Sequence, residues 1–312
     1  MSLPGGETLK SFGILVKSFR GDFDTARQLF ESIRIHNVER IPVWVVVPEE
    51  DKELFQVATE GIGQVIGESE FAEHLVSKEV AGIRPGYINQ EIIKLAFWEK
   101  GLVANYLPVD SDAVFLRPFR TSDFMSSSDV PYTVLLEDRD LQMDPDYFAT
   151  HWQGRARALR QIQQEVGLED SRLLTCHGHQ VLSSTVLRSL KETFLAPRGW
   201  TYAEMLANGP YEFSWYNFWL QKSRVIPIEI REPYFKVVHS EQQHEEMMIR
   251  GIGLRDVARG YLGIIVNSNF ARAWGDISYR TSRSEALSRY LTWQTLGAVA
   301  VAKVRSALRR ER

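Results

Sequence analysis

The chain has 312 residues, 44% of them hydrophobic and 25% charged, with a net charge of −3. That length holds one large domain or two of ordinary size, and the composition is that of a globular protein able to bury a core. The near-balanced charge excludes a general electrostatic trap for nucleic acid, and a single cysteine, Cys176, excludes an intrachain disulfide and a thiolate zinc cluster. The opening "MSLPGGETLK" lacks the basic-then-apolar order of a secretory signal, and no stretch approaches the roughly 20 apolar residues of a membrane span. A cytoplasmic location is expected.

In chain order, "FGILVKSF" (12–19) reads as a buried strand, and after Gly21 the segment "DTARQLFESIRIH" places Ala26, Leu29, Phe30 and Ile33 at helical spacing. "IPVWVVVP" (41–48) is a β-branched run between prolines, a second buried strand, with "EEDKELF" opening another helix. "YINQEIIKLAFWEKG" (87–101) puts Ile88, Ile92 and Leu95 on one helix face and stops at a glycine. "NYLPVDSDAVFLRPF" (105–119) supplies a further strand. Strand and helix alternating over the first 120 residues predict an α/β fold with a mostly parallel sheet covered on both faces. Sheets of this kind bind ligands at the carboxyl ends of their strands.

Beyond residue 120 the elements mix. "VPYTVLLED" (130–138) and "RVIPIEI" (224–230) read as strands, "GHQVLSSTVLRSLKETF" (178–194) as a strand and helix, and "YEFSWYNFWLQ" (211–221) as an aromatic-dense segment. Three portions are expected: residues 1–125 ending in the paired aspartates, 126–285 as a second half of the same domain, and 286–312 as a basic amphipathic terminal helix. In that helix "LTWQTLGAVAVA" leads into Lys303, Arg305, Arg309, Arg310 and Arg312, which suits either packing on the sheet or peripheral contact with an anionic membrane face.

Asp110 and Asp112 interrupt an otherwise apolar segment, where unpaired charge is costly. If the strand persists through both, residues i and i+2 share a side, and carboxylates about 6–7 Å apart repel by roughly 2–3 kcal/mol at an effective dielectric near 20. A positive partner is therefore expected, either a hard divalent cation with oxygen ligands or, more simply, a turn cap for one acid and Arg117 for the other. "GDFD" (21–24) has the same spacing, but Asp22 and Asp24 precede a helix and read as cap and dipole partners.

The run "GYINQEIIKLAFWEKGLVANYLPVDSDAVFLRPF" resembles the metal-binding core of bacterial GT-A glycosyltransferases, in which a helix with Gln and Lys precedes a strand ending in D-x-D and an Arg-Pro exit. The resemblance covers residues 12–120 and implies a GT-A-like fold with a mixed acceptor-side half. It also implies transfer of a sugar from a nucleotide-sugar donor, a UDP-sugar first among them, to a saccharide or lipid-linked acceptor, through a Mn²⁺ or Mg²⁺ ion on the donor diphosphate. By position it implies Asp112 as the direct metal ligand and Asp110 as the group on ribose or metal. Gln90 and Lys94 would lie near the donor, and Lys17, Ser18 and Phe19 where the base rests. Several such enzymes add a late histidine to the metal, which points to His239 after "KVV", with His244 as the weaker candidate.

If the enzyme inverts the anomeric centre it also needs a base for the incoming hydroxyl. The resembling family often carries an acid after the serine near position 214, where this chain has Trp215. Glu212 is the base candidate and Asp138, closing "TVLLED", the reserve. Tyr211, Phe213, Trp215, Tyr216, Phe218 and Trp219 serve either a core or a sugar-binding face. "TCHGH" (175–179) is no nucleophile signature, since Cys and His partners meet in space, and neither G-x-G-x-x-G nor a P-loop occurs. Two alternatives stand beside the transferase. One is a haloacid-dehalogenase-like phosphatase, which also uses D-x-D after a strand but usually on the first one. The other is a transferase-like fold that binds glycans or nucleotide sugars without turnover.

Overall fold

The structure, a computed structural model, describes residues 10–144, 147–239, 243, 244, 247, 250–267 and 297. The predicted terminal helix 286–312 therefore lies outside the described residues, apart from Gly297.

The first half follows its hydrophobic patterning. Strand β1 (Lys10–Lys17) leads to helix α1 (Phe23–His36), whose Ala26, Leu29, Phe30 and Ile33 are buried at the spacing expected. All five residues of β2 (Val43–Val47) are buried, as their β-branched run requires, and the chain continues through α2 (Lys52–Ala58) to β3 (Gln64–Gly67). Helix α3 (Pro85–Ala96) starts with proline, whose missing N–H costs nothing there. The chain then turns through Gly101, at φ 65, into β4 (Val103–Asp110). Strands β1, β2 and β4 are buried along nearly their whole length, so both faces of their sheet are covered.

That sheet has the order β3-β2-β1-β4-β7, where β7 is Leu182–Ser183 from the second half of the chain. The first four strands run parallel and β7 is antiparallel to β4. The strand order reverses direction between β1 and β4, which is the place where open α/β sheets leave a crevice at their carboxyl ends. Lys17 pairs with Asp110 there, each at the last position of its strand. The α/β architecture with a mostly parallel sheet is thus as the sequence predicted.

The strand does not persist through both aspartates. β4 stops at Asp110, Ser111 and Asp112 form a turn, and β5 (Ala113–Phe115) leaves in a second sheet of order β5-β10-β9. In it, β9 is Phe235–Val238 and β10, which the sequence reading did not predict, is Gly263–Val266. Two other predicted strands shrink to two-residue pieces, β6 (Tyr132–Thr133) and β8 (Glu229–Ile230), paired with each other. The aromatic-dense stretch is the helix Glu212–Ser223. Its Trp215, Tyr216 and Phe218 belong to the core. Among the described residues no helix is long and apolar enough to cross a membrane.

Candidate functional site at the β1/β4 crevice

A cleft of about 320 Å³ opens at the β1/β4 reversal. Its walls include Lys17, Gln90, Lys94, Asp110, Asp112, Glu212 and His239, seven side chains singled out from sequence. The two remaining donor-side residues stand apart from the lining. Ser18 is buried and its hydroxyl accepts from Ser111 Oγ at 2.8 Å, pinning the D-x-D turn to the end of β1, while Phe19 is 42% exposed on the surface. Lys17 Nζ pairs with Glu68 at 2.8 Å and donates to the Ser18 carbonyl.

The positive partner of Asp110 is Lys94 rather than Arg117. Its ammonium, with 3% of the side chain exposed, lies 2.9 Å from Asp110 Oδ1, 3.0 Å from Glu212 Oε1 and 3.5 Å from Glu91 Oε2. This one cation joins α3, the end of β4 and the first turn of the Glu212 helix, and it places Lys94 in an ion-pair node. Burial alone would favour the neutral amine, but Asp110, Glu212 and Glu91 outweigh it and hold the Lys94 pKa well above its usual value. Burial likewise opposes ionisation of Asp110, yet Lys94 and His179 hold its carboxyl well below the usual range. Burial, and then the neighbouring Glu212 carboxylate, push Glu91 well upward.

Arg117, the expected neutraliser, donates to the Tyr261 carbonyl at 3.1 Å. Asp22 occupies the N-cap position of α1 without a side-chain cap bond and lines the cleft, a correction to its reading as a simple cap.

Sequence reasoning missed three residues of the opposite wall: His177, His179 and Arg155. His179 Nε2 lies 3.1 Å from Asp110 Oδ2 and 3.0 Å from the Asp110 amide nitrogen. One ring nitrogen either donates to the carboxylate or accepts from the amide, so the tautomer of His179 sets which bond forms. His177 Nε2 lies 3.2 Å from His239 Nδ1. Burial, with the Arg155 charge adding to it, lowers both histidines, His177 well below its usual value and His239 to about 4. Both rings are therefore neutral near pH 7. The one signal in the sequence was the alternation of histidines in "TCHGH", where residues i and i+2 both reach the cleft.

Asp112, just before β5, and His239, just after β9, flank β10, which lies between those two strands in its sheet. The amide of Val266 donates to the Asp112 carbonyl at 3.2 Å and that of Asn267 to the Val238 carbonyl at 3.0 Å. The end of β10 thus holds the Asp112 backbone and the residue before His239. Asp138, the reserve base, lines an adjoining cavity of about 480 Å³ that shares His177, His179 and His239 with the cleft. Arg155 holds its carboxylate at 2.7 Å and also faces the Tyr211 ring, 4.9 Å from its centroid.

A carboxylate held in its ionised form and a neutral imidazole are the donor types that a Mn²⁺-class ion takes. One Asp110 oxygen meets Lys94 and the other His179, and Asp112 and His239 line the same cleft. Among the described residues, the only group of three or more acids, histidines or cysteines with ligand atoms all within 4.8 Å of one another is Glu73, His74 and Glu99. There Glu99 is already bound by the Lys191 ammonium and accepts from the Tyr202 hydroxyl at 2.8 Å.

No curated protein matches the chain in sequence. Among solved structures it is similar to mouse xyloside xylosyltransferase 1 in its apo form, at 11% identity and a TM-score of 0.47 over 83% of this chain and 98% of that one. An active-site mutant of LgtC aligns at 9% identity and a TM-score of 0.47, over 82% of this chain and 87% of that one. The galactosyltransferase LgtC in complex with donor and acceptor sugar analogs aligns at 11% and 0.45 over the same shares. In sequence, residues 14–249 match DUF6492, described as a family of unknown function, and the chain belongs to that family.

Proposed function

We propose that the protein is a GT-A-type glycosyltransferase that moves a sugar from a nucleotide-sugar donor, a UDP-sugar first among them, to a saccharide or lipid-linked acceptor. The observation that carries this reading is convergence. Asp110 and Asp112 on the β4 turn, Glu212 at a helix start and His239 after β9 are far apart in sequence, yet all line one cleft at the β1/β4 strand reversal. Polar lining and position suit a nucleoside diphosphate at the carboxyl ends of parallel strands.

In this reading Asp112 and His239 would hold a Mn²⁺ or Mg²⁺ ion, which would supply positive charge against the departing diphosphate. Lys94 fixes Asp110 and Glu212 relative to each other, so that the donor side and the base are set by one buried cation. Glu212 takes the proton from the acceptor hydroxyl. Asp138 is tied to Arg155 and remains the reserve for that role. The adjoining cavity, with Leu135, Leu136, Phe235 and Tyr261 in its walls, takes the acceptor. Gln90 and Lys17 contact the donor from the side of α3 and β1.

The test is to incubate the protein with UDP-, GDP-, CMP- and dTDP-sugars in Mn²⁺ and measure released nucleotide, with simple phosphomonoesters as the control. Release from one nucleotide class, stimulated by saccharide acceptors, is expected. Hydrolysis of the phosphomonoesters with no release from any donor would replace this reading with the phosphatase.

A further inference from the structure

We propose that Glu91 and Glu212 form an acid–carboxylate pair sharing one proton, carried by Glu91, and that Glu91 is thereby the positioning residue for the base. Both side chains are buried, and their carboxyl groups hydrogen-bond each other. Ionised carboxylates only accept, so two of them cannot make that bond, and one of the pair has to carry a proton. The ammonium beside them says which. Lys94 Nζ donates to Glu212 Oε1 at 3.0 Å, whereas Glu91 Oε2, 3.5 Å from the same nitrogen, is buried with no hydrogen-bond partner. The cation therefore stabilises charge on Glu212 and does far less for charge on Glu91.

Charge counting gives the same answer. The groups that face Glu91 are Lys94 and Tyr87 on α3, Asp110 at the end of β4 and Glu212 on the facing helix. Asp110 already lies 2.9 Å from the ammonium, with His179 at its other oxygen. Three ionised acids around one ammonium would leave two net negative charges in a buried node, and a proton on Glu91 halves that excess. Burial and then the Glu212 charge push Glu91 upward, in the same direction. Glu91 precedes Lys94 by three residues, so one face of α3 supplies both the neutral acid and the cation. As a neutral acid Glu91 donates to Glu212 and, with Lys94, fixes how that carboxylate meets the cleft it lines. The catalytic use of the pair rests on the reading of Glu212 as the base, but the shared proton does not.

The competing arrangement keeps all three acids ionised. Urea unfolding of the full-length protein against pH separates the two, with Glu91→Gln for comparison, since it keeps the shape of a neutral acid but binds no proton. If the fold holds a proton on the pair, unfolding releases it above the ordinary glutamate range. The native protein then becomes easier to unfold as pH rises, and the variant lacks that slope. The ratio of unfolding constants, native over variant, should rise at least about tenfold between about pH 5 and about pH 6.5. Glu91→Met, neutral and of similar bulk, repeats the comparison and guards against a folding defect peculiar to Gln. A ratio that stays flat or falls overturns the shared proton, and if nucleotide release from a donor persists, the transferase reading survives that failure. A rising ratio in a protein that releases nucleotide from no donor upholds the pair and removes the transferase reading. Where release is seen, Glu91→Gln should lower kcat by less than about tenfold, against about 10²–10⁴ for Glu212→Gln. Equal losses in the two variants would put the proton on Glu212 and overturn the assignment.

Discussion

The two walls of the cleft hold charge in different ways. The wall built from α3, the end of β4 and the start of the Glu212 helix locks one ammonium among three acidic side chains, at 2.9 to 3.5 Å. The wall built from the 175–179 loop and the end of β9 presents His177 and His239, both neutral near pH 7 and 3.2 Å apart. The first arrangement spends its charges on one another and fixes geometry. The second sets two uncharged rings against each other. His179 is the hinge between them, since it comes from the loop yet contacts Asp110.

That contrast predicts unequal responses to substitution. The largest stability effect belongs to the ion-paired wall. Lys94→Met leaves Asp110, Glu212 and Glu91 without their shared cation, and stripping one partner from a buried charge network costs about 3–5 kcal/mol. Urea unfolding measures it, and nucleotide release should vanish in the same variant. Next comes Glu212→Gln, which keeps the size and a hydrogen bond to Lys94 but removes the base. A fall of about 10²–10⁴ in kcat, with donor KM little changed, is the expected result of steady-state assays.

On the histidine wall the stability effects are small. His177→Gln or His239→Gln removes at most one hydrogen bond between neutral groups, about 0.5–1.5 kcal/mol by thermal melting. A loss of 3 kcal/mol or more from either would mean that this wall, too, is a structural network. Smallest is Ser111→Ala, which cuts the bond to Ser18 that holds the turn to β1. It should cost about 0.5–1.5 kcal/mol at most and show itself more in donor KM than in the melting temperature.

The same two walls differ in how far they could be read from sequence. The first is built from periodic elements. Buried β-branched runs and a helix with three isoleucine and leucine positions on one face gave β1, β2, α3 and β4, and so put Asp110 at a strand end. Even there the premise that the strand carries Asp112 failed, because local periodicity does not say where a chain changes sheets, and it does so at Ser111. Lys94 had a visible signal, a cation inside the apolar run "IIKLAF", but its partner Glu212 is 118 residues away. The second wall depends on contacts through space: His177 with His239 across 62 residues, and His179 with Asp110 across 69. Strand β10, which ties Asp112 to the β9 wall, is a four-residue apolar run that periodicity alone does not distinguish from a buried helical turn. The aromatic stretch divides for the same reason. Trp215, Tyr216 and Phe218 fill the core while Tyr211 and Phe213 line the cleft, and only the helix's docking decides which is which.

The central claim is that the turn after β4 binds a donor diphosphate for sugar transfer, and Asp112→Asn tests it most directly, since the change is isosteric and leaves Lys94 and its partners in place. Nucleotide release from the preferred nucleotide sugar in Mn²⁺, compared between the native protein and this variant at equal folded concentration, should fall by at least about 100-fold. Release at the native rate in Asp112→Asn would contradict the account.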